Sequence, residues 1–93
     1  MANGVGTATL DFGAIPGTQF VTVVVSGQTG FTAAGHAEAW LQGDVTATHN
    51  AVEHLIAPLT IRCGDAGTGT FTIYASSELR LTGTFTCHWV WSV

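Results

Sequence analysis

From Leu81 to Val93 apolar and polar residues alternate with hardly a fault. Leu81, Phe85, Cys87, Trp89, Trp91 and Val93 share one parity, and Thr82, Thr84, Thr86, His88 and Ser92 share the other. Successive side chains of a β-strand point to opposite faces. The segment therefore predicts a strand that buries an aromatic row and shows a threonine row to water or to a partner. So much apolar surface at the end of the chain predicts a strand that is central to a sheet or docked on another subunit.

The same alternation recurs upstream. Thr7 to Phe12 turns Ala8, Leu10 and Phe12 inward, and Ile15-Pro16-Gly17 then reverses the chain. Gln19 to Ser26 has Val21, Val23 and Val25 inward and Thr22 outward; Val24, also outward, predicts a strand covered on both faces. Gly27 to Gly30 reads as a tight connection. After Gly35, residues His36 to Gln42 set Ala37, Ala39 and Leu41 against His36, Glu38, Trp40 and Gln42. Leu59, Ile61 and Cys63 form the next inward row. Gly64 to Gly69 is a glycine-rich turn, and Phe71, Ile73 and Ala75 are the inward row of Thr70 to Ser76. Ser76-Ser77-Glu78 predicts a break before the terminal strand, which begins as early as Leu79.

One stretch, residues 43–58, departs from this rhythm. Asn50 is placed to cap a helical turn over Ala51 to Leu55, with Pro58 as its stop; a long loop with one helical turn fits equally well. About six or seven short strands with turns between them predict one all-β domain over residues 1–93. Its architecture is an antiparallel β-sandwich or jelly-roll-like module.

Composition narrows the function classes. The hydrophobic share is 46% and the charged share 9%, against about 25% charged in ordinary soluble domains. There is no lysine; Arg62 and Arg80 face Asp11, Glu38, Asp44, Glu53, Asp65 and Glu78, for a formal net charge of −4. That balance argues against binding a nucleic-acid backbone or an anionic membrane surface. So few charges suit a protein whose surface is largely covered by neighbours. No run approaches the ~20 apolar residues that cross a bilayer. Met1-Ala2-Asn3-Gly4 lacks a signal peptide's basic start, so the chain is expected to be made and kept in a cytoplasm or released by lysis. Cys63 and Cys87 are expected to be reduced, buried thiols; their spacing alone leaves pairing open.

Candidate chemistry is sparse. His49, Glu53 and His54 do not match the His-Glu-x-x-His spacing of zinc proteases, and no further ligand completes a zinc site. No metal or cofactor is predicted. The Gly64–Gly69 run lacks the lysine and the following helix of a phosphate loop. There is no Gly-x-Ser-x-Gly, and both cysteines lie on inward parities. His36, Glu38 and Trp40 fall on alternate positions and make one strip on a sheet face, suited to a subunit contact or to stacking on a sugar. A small hydrolase using Glu38 or Glu53 would require a carboxylate with a raised pKa in a cleft.

A family resemblance adds to this. The segments Ala8 to Gly13, Val21 to Gly30, His36 to Trp40, Thr48 to His54, Gly69 to Ala75 and Leu81 to Trp91 resemble a group of small uncharacterised all-β proteins. These are encoded in tailed bacteriophages and prophages, often among virion-structure genes. The resemblance implies a virion location and other virion proteins as partners, the major capsid protein among the candidates. With the composition it leads to an expected non-enzymatic structural role, as a homo-oligomeric capsid decoration (cement) or other accessory subunit. The alternative is a receptor- or glycan-binding module of a tail or head fibre. The residues expected at contacts are His36, Glu38 and Trp40, with the C-terminal Trp91 to Val93.

Overall fold

A computed structural model describes residues 3–93. The chain forms β1 (Asn3–Asp11), β2 (Thr18–Val25), β3 (His36–Leu41), α1 (Ala51–Ile56), β4 (Leu59–Gly67), β5 (Thr70–Leu81) and β6 (Thr84–Ser92). The strands make two three-stranded antiparallel sheets, ordered β1-β6-β3 and β2-β5-β4, packed as an all-β sandwich around one apolar core.

The terminal alternation has a direct physical reading here. β6 is the middle strand of its sheet, and its inward row, Phe85, Cys87, Trp89 and Trp91, is buried. The cross-strand register sets small residues beside the large ones. Gly4 and Ala37 flank Trp91, Gly6 and Ala39 flank Trp89, and Ala8 and Leu41 flank Cys87. A Cβ added at Gly4 or Gly6 would run into the indole of Trp91 or Trp89, so close ring approach requires glycine at both.

The facing sheet supplies Phe71, Ile73 and Ala75 from its central strand β5, with Val21, Val23 and Val25 from β2 and Leu59, Ile61 and Cys63 from β4. Rings meet edge to face across the core: Phe71 lies 5.5 Å from Trp89, and Phe31 lies 5.2 Å from Trp91. Phe31 belongs to the β2–β3 connection and is buried. The same connection sends in Gln28, whose Oε1 accepts a hydrogen bond from Trp91 Nε1 at 3.0 Å. Trp89 Nε1 has no acceptor among the described residues.

Three strand-level expectations are corrected. The Leu81–Val93 alternation is not one strand. Leu81 ends β5 in one sheet and Thr84 opens β6 in the other. Gly83, at φ +77°, makes the corner; its N–H donates to Gly13 O and its C=O accepts from Phe12 N–H, each at 2.8 Å. Ser76-Ser77-Glu78 does not break β5, which runs through to Leu81. The opposing strand absorbs the irregularity instead, with a register shift between Thr18 and Phe20, where Gln19 Nε2 donates to Glu78 O at 2.8 Å. Val24 is 66% exposed, so within this chain β2 is covered on one face only.

Candidate functional site

The outer face of the β1-β6-β3 sheet gathers most of the polar side chains singled out from the sequence. In register across the strands, Asn3, Ser92 and His36 form one row, Val5, Val90 and Glu38 the next, and Thr7, His88 and Trp40 a third. Thr9 beside Thr86 and Asp11 beside Thr84 extend the face along β1 and β6. His36, Glu38 and Trp40 are all exposed and form the contiguous strip that their spacing predicts. Trp40, at 37% exposure, keeps much of its indole against the protein.

Beside Trp40, the loop after β3 folds back over the sheet. Asp44 Oδ2 lies 2.6 Å from His88 Nε2, where the ring N–H donates to the carboxylate. This pair joins positions far apart in sequence. Both residues stand out as polar in a chain poor in charge, yet only the β3–β6 register brings them together. His88 has Thr7 and Trp40 as its cross-strand neighbours. Both thiols lie on the other side of the sheets: Cys87 is fully buried and Cys63 half-buried. Burial pushes the Cys87 thiol up to about 11, and burial with the nearby Glu38 charge raises that of Cys63. Neither is an activated nucleophile. The outer face offers hydroxyls, an indole and an imidazole–carboxylate pair, groups suited to hydrogen bonding and stacking.

The C-terminal contact residues separate. Val93 is 44% exposed, whereas Trp91 is only 3% exposed and belongs to the core. Trp91 presents no surface to a partner, because it lies on the inward parity of a central strand and its N–H is already taken by Gln28.

The second cluster, His49, Glu53 and His54, holds the 43–58 region together. Asn50 caps α1: its side chain accepts from Glu53 N–H, and Glu53 Oε1 accepts from Asn50 N–H, closing a capping box. The ring of His49 stacks on Phe85 with centroids 4.0 Å apart. Its Nε2 donates to Thr82 O at 2.7 Å, and Nδ1 lies 3.2 Å from Glu53 Oε2. His54 is buried, its ring edge-on to the same Phe85 with centroids 5.2 Å apart. Its Nε2 accepts from Thr86 N–H at 3.0 Å, so the ring proton sits on Nδ1, which donates to Asn50 O at 3.0 Å. Every nitrogen of the two rings thus has a partner within the fold. The Asn50 backbone N–H, and then the His49 side chain, hold the Glu53 carboxyl below its ordinary pKa. A hydrolytic general acid would need the opposite shift.

No family model matches the chain, and no curated protein or solved structure matches it.

Proposed function

We propose that this chain is a non-enzymatic structural component of a phage particle, a capsid-decorating or other small accessory protein that acts as a homo-oligomer on a lattice of virion proteins. The phage setting comes from the sequence resemblance. The observation that carries a structural role is the make-up of the outer β1-β6-β3 face. Threonines and the exposed Val5, Val90 and Trp40 make up much of it, and its carboxylates are few: Asp11 at the end of β1, Glu38 on β3, and Asp44 paired with His88 over β6. A face of this kind can dock on protein without desolvating many charges, which resembles the composition of interface centres. Repetition by symmetry turns modest contacts into avidity.

Co-sedimentation of the purified chain with expanded capsids, alongside its solution mass by light scattering, tests the proposal. Binding that is lost on Val90→Glu supports it. A folded chain indifferent to capsids overturns it.

One feature favours a second reading, a receptor- or glycan-binding module: an exposed indole stands beside the His88–Asp44 pair, at the end of the strip that Glu38 and His36 continue. An aromatic ring bordered by hydrogen-bonding groups is what sugar stacking requires. Loss of sugar binding on Trp40→Ala, with capsid binding intact, would select this reading over the first.

A further inference from the structure

β2 is an edge strand, since its sheet runs β2-β5-β4, and from Phe20 to Val25 it carries none of the usual defences against pairing. Natural edges are blunted by charge (lysine above all), by proline, by bulges or by brevity. The segment Thr18-Gln19-Phe20-Val21-Thr22-Val23-Val24-Val25 has no charged residue and no proline, and the whole chain has no lysine. Its irregularity lies at the Thr18 end, leaving Phe20 to Val25 in unbroken register with β5. On the outer face Phe20 is 54% exposed and Val24 66% exposed. Phe20 is held flat against Tyr74 of β5, with ring centroids 6.1 Å apart.

The strand is also complementary to itself. Antiparallel pairing of two copies about Thr22 places Phe20 against the partner's Val24, Val24 against the partner's Phe20, and Thr22 against the partner's Thr22. On the inner parity Val21 meets the partner's Val23. Aromatic and β-branched residues directly opposite one another are the favourable cross-strand pairs. Arg80 and Glu78, the charges nearest β2, lie toward its start, where they contact Gly17 and Gln19. In this register they face the uncharged Val25–Ser26 end of the other copy. β1, the other edge on this side, does not match itself. Pairing about Thr7 sets Asn3 against the partner's Asp11, and its inward positions Gly4 and Gly6 carry no side chain.

We infer that β2 is the dimerisation edge of this protein, pairing antiparallel with β2 of a second copy to join the two β2-β5-β4 sheets into one continuous sheet. Such an interface is isologous and closes at two. It leaves the outer β1-β6-β3 face free, and it does not depend on the phage reading.

The test is the solution mass of the full chain, wild type against Thr22→Lys, which sets two like charges face to face on the two-fold axis. The expected result is a dimer whose mass halves in the variant, with an unchanged circular dichroism spectrum. A second variant, Thr22→Cys, is treated with a short bis-maleimide and compared with Thr60→Cys on the outer face of β4. Cross-linked dimer from the first and none from the second supports the pairing, and this comparison decides alone if Thr22→Lys is unfolded. A monomeric wild type, a polydisperse assembly, or a dimer that survives Thr22→Lys in the folded variant would overturn it. Capsid binding is scored separately: a dimer that ignores capsids defeats the proposed function only, and a capsid-binding monomer defeats this inference and the homo-oligomeric state while leaving the capsid role standing.

Discussion

The two long sides of the sandwich are built on different principles. On one side lie the edges β3 and β4. β3 is six residues long and carries His36 and Glu38; β4 carries Arg62 and Asp65 and has a register shift between Gly64 and Gly67. The 43–58 region with α1 packs against this side, and its His54 hydrogen-bonds Thr86 of β6. On the other side lie β1 and β2, nine and eight residues long, whose one charged residue is Asp11 at the end of β1. The first side has charge, irregularity and a covering segment, the devices that stop strands from pairing with other chains. The second has only Asp11 at the end of β1 and a register shift at the start of β2, and leaves Phe20 to Val25 without charge or irregularity. In a chain with so few charges, their uneven placement distinguishes a side made for solvent from a side open to another chain.

The sharpest way to break the covered side is at His54. Its ring is buried and uses both nitrogens, so His54→Ala strands the Thr86 N–H, leaves the Asn50 C=O with only the backbone N–H of residue 54, and opens a void against Phe85. An unpaired buried polar group costs about 1–3 kcal/mol, and the void adds to it. A loss of about 3 kcal/mol or more is expected in urea unfolding. On the open side the matching weak point is Gly6. A Cβ there runs into Trp89, so Gly6→Val is expected to cost about 1–3 kcal/mol through overpacking. On the opposite flank of the same indole stands Ala39, which already carries a Cβ. Ala39→Gly removes only a methyl and should cost about 1 kcal/mol or less. Equal losses at the two positions would refute the asymmetric seating of Trp89.

These residues also mark what the sequence made legible. The period-two pattern assigns Ala8, Leu10, Val25, Phe71, Ile73, Phe85, Cys87 and Trp89 correctly to the interior, because a half-buried strand leaves no other place for apolar parity. Asn50 as cap and Pro58 as stop mark α1, since capping chemistry is local, while the structure adds Glu53 as the second half of a capping box. What parity does not carry is which strands are neighbours. Leu81 and Phe85 share a parity although Gly83 sends them into different sheets, because both still point into the same core. The same limit hides the His88–Asp44 pair and the buried role of His54, which depend on loop path rather than on spacing. Phe31 lies outside any alternating run, so no periodicity marks it as core. The outer strip His36, Glu38 and Trp40 was legible because it lies within one strand; its continuation onto Thr7 and His88 needed the register.

The capping box gives the covered side a pH signature. The folded protein holds the Glu53 carboxyl below the ordinary glutamate value, through the Asn50 backbone N–H and then the His49 side chain. A depressed folded pKa adds stability that is present above the unfolded value and is lost as pH falls through the carboxylate range to the folded value. Unfolding midpoints should therefore fall in that acid window, and Glu53→Gln should flatten the fall. Asn50→Ala removes the side-chain acceptor at the helix start and should cost about 1 kcal/mol at neutral pH. An acid limb unchanged in Glu53→Gln would mean that other carboxylates control it.

The smallest effects compare the two sides most directly. Val24 on β2 and Arg62 on β4 both lie on the outer face of the β2-β5-β4 sheet, and neither is buried. In an isolated chain, Val24→Thr and Arg62→Thr should each shift stability by no more than about 0.5 kcal/mol, as surface changes do. They part once association is included. A partner that binds only the folded chain raises the unfolding midpoint with protein concentration, by mass action. If β2 pairs with a second copy, the wild-type midpoint climbs on concentration, Arg62→Thr preserves the climb, and Val24→Thr reduces it by weakening the contact with the partner's Phe20. A midpoint independent of concentration in all three chains would show that the undefended edge stays unpaired in solution. The contrast between the two sides would then be one of composition without consequence for assembly.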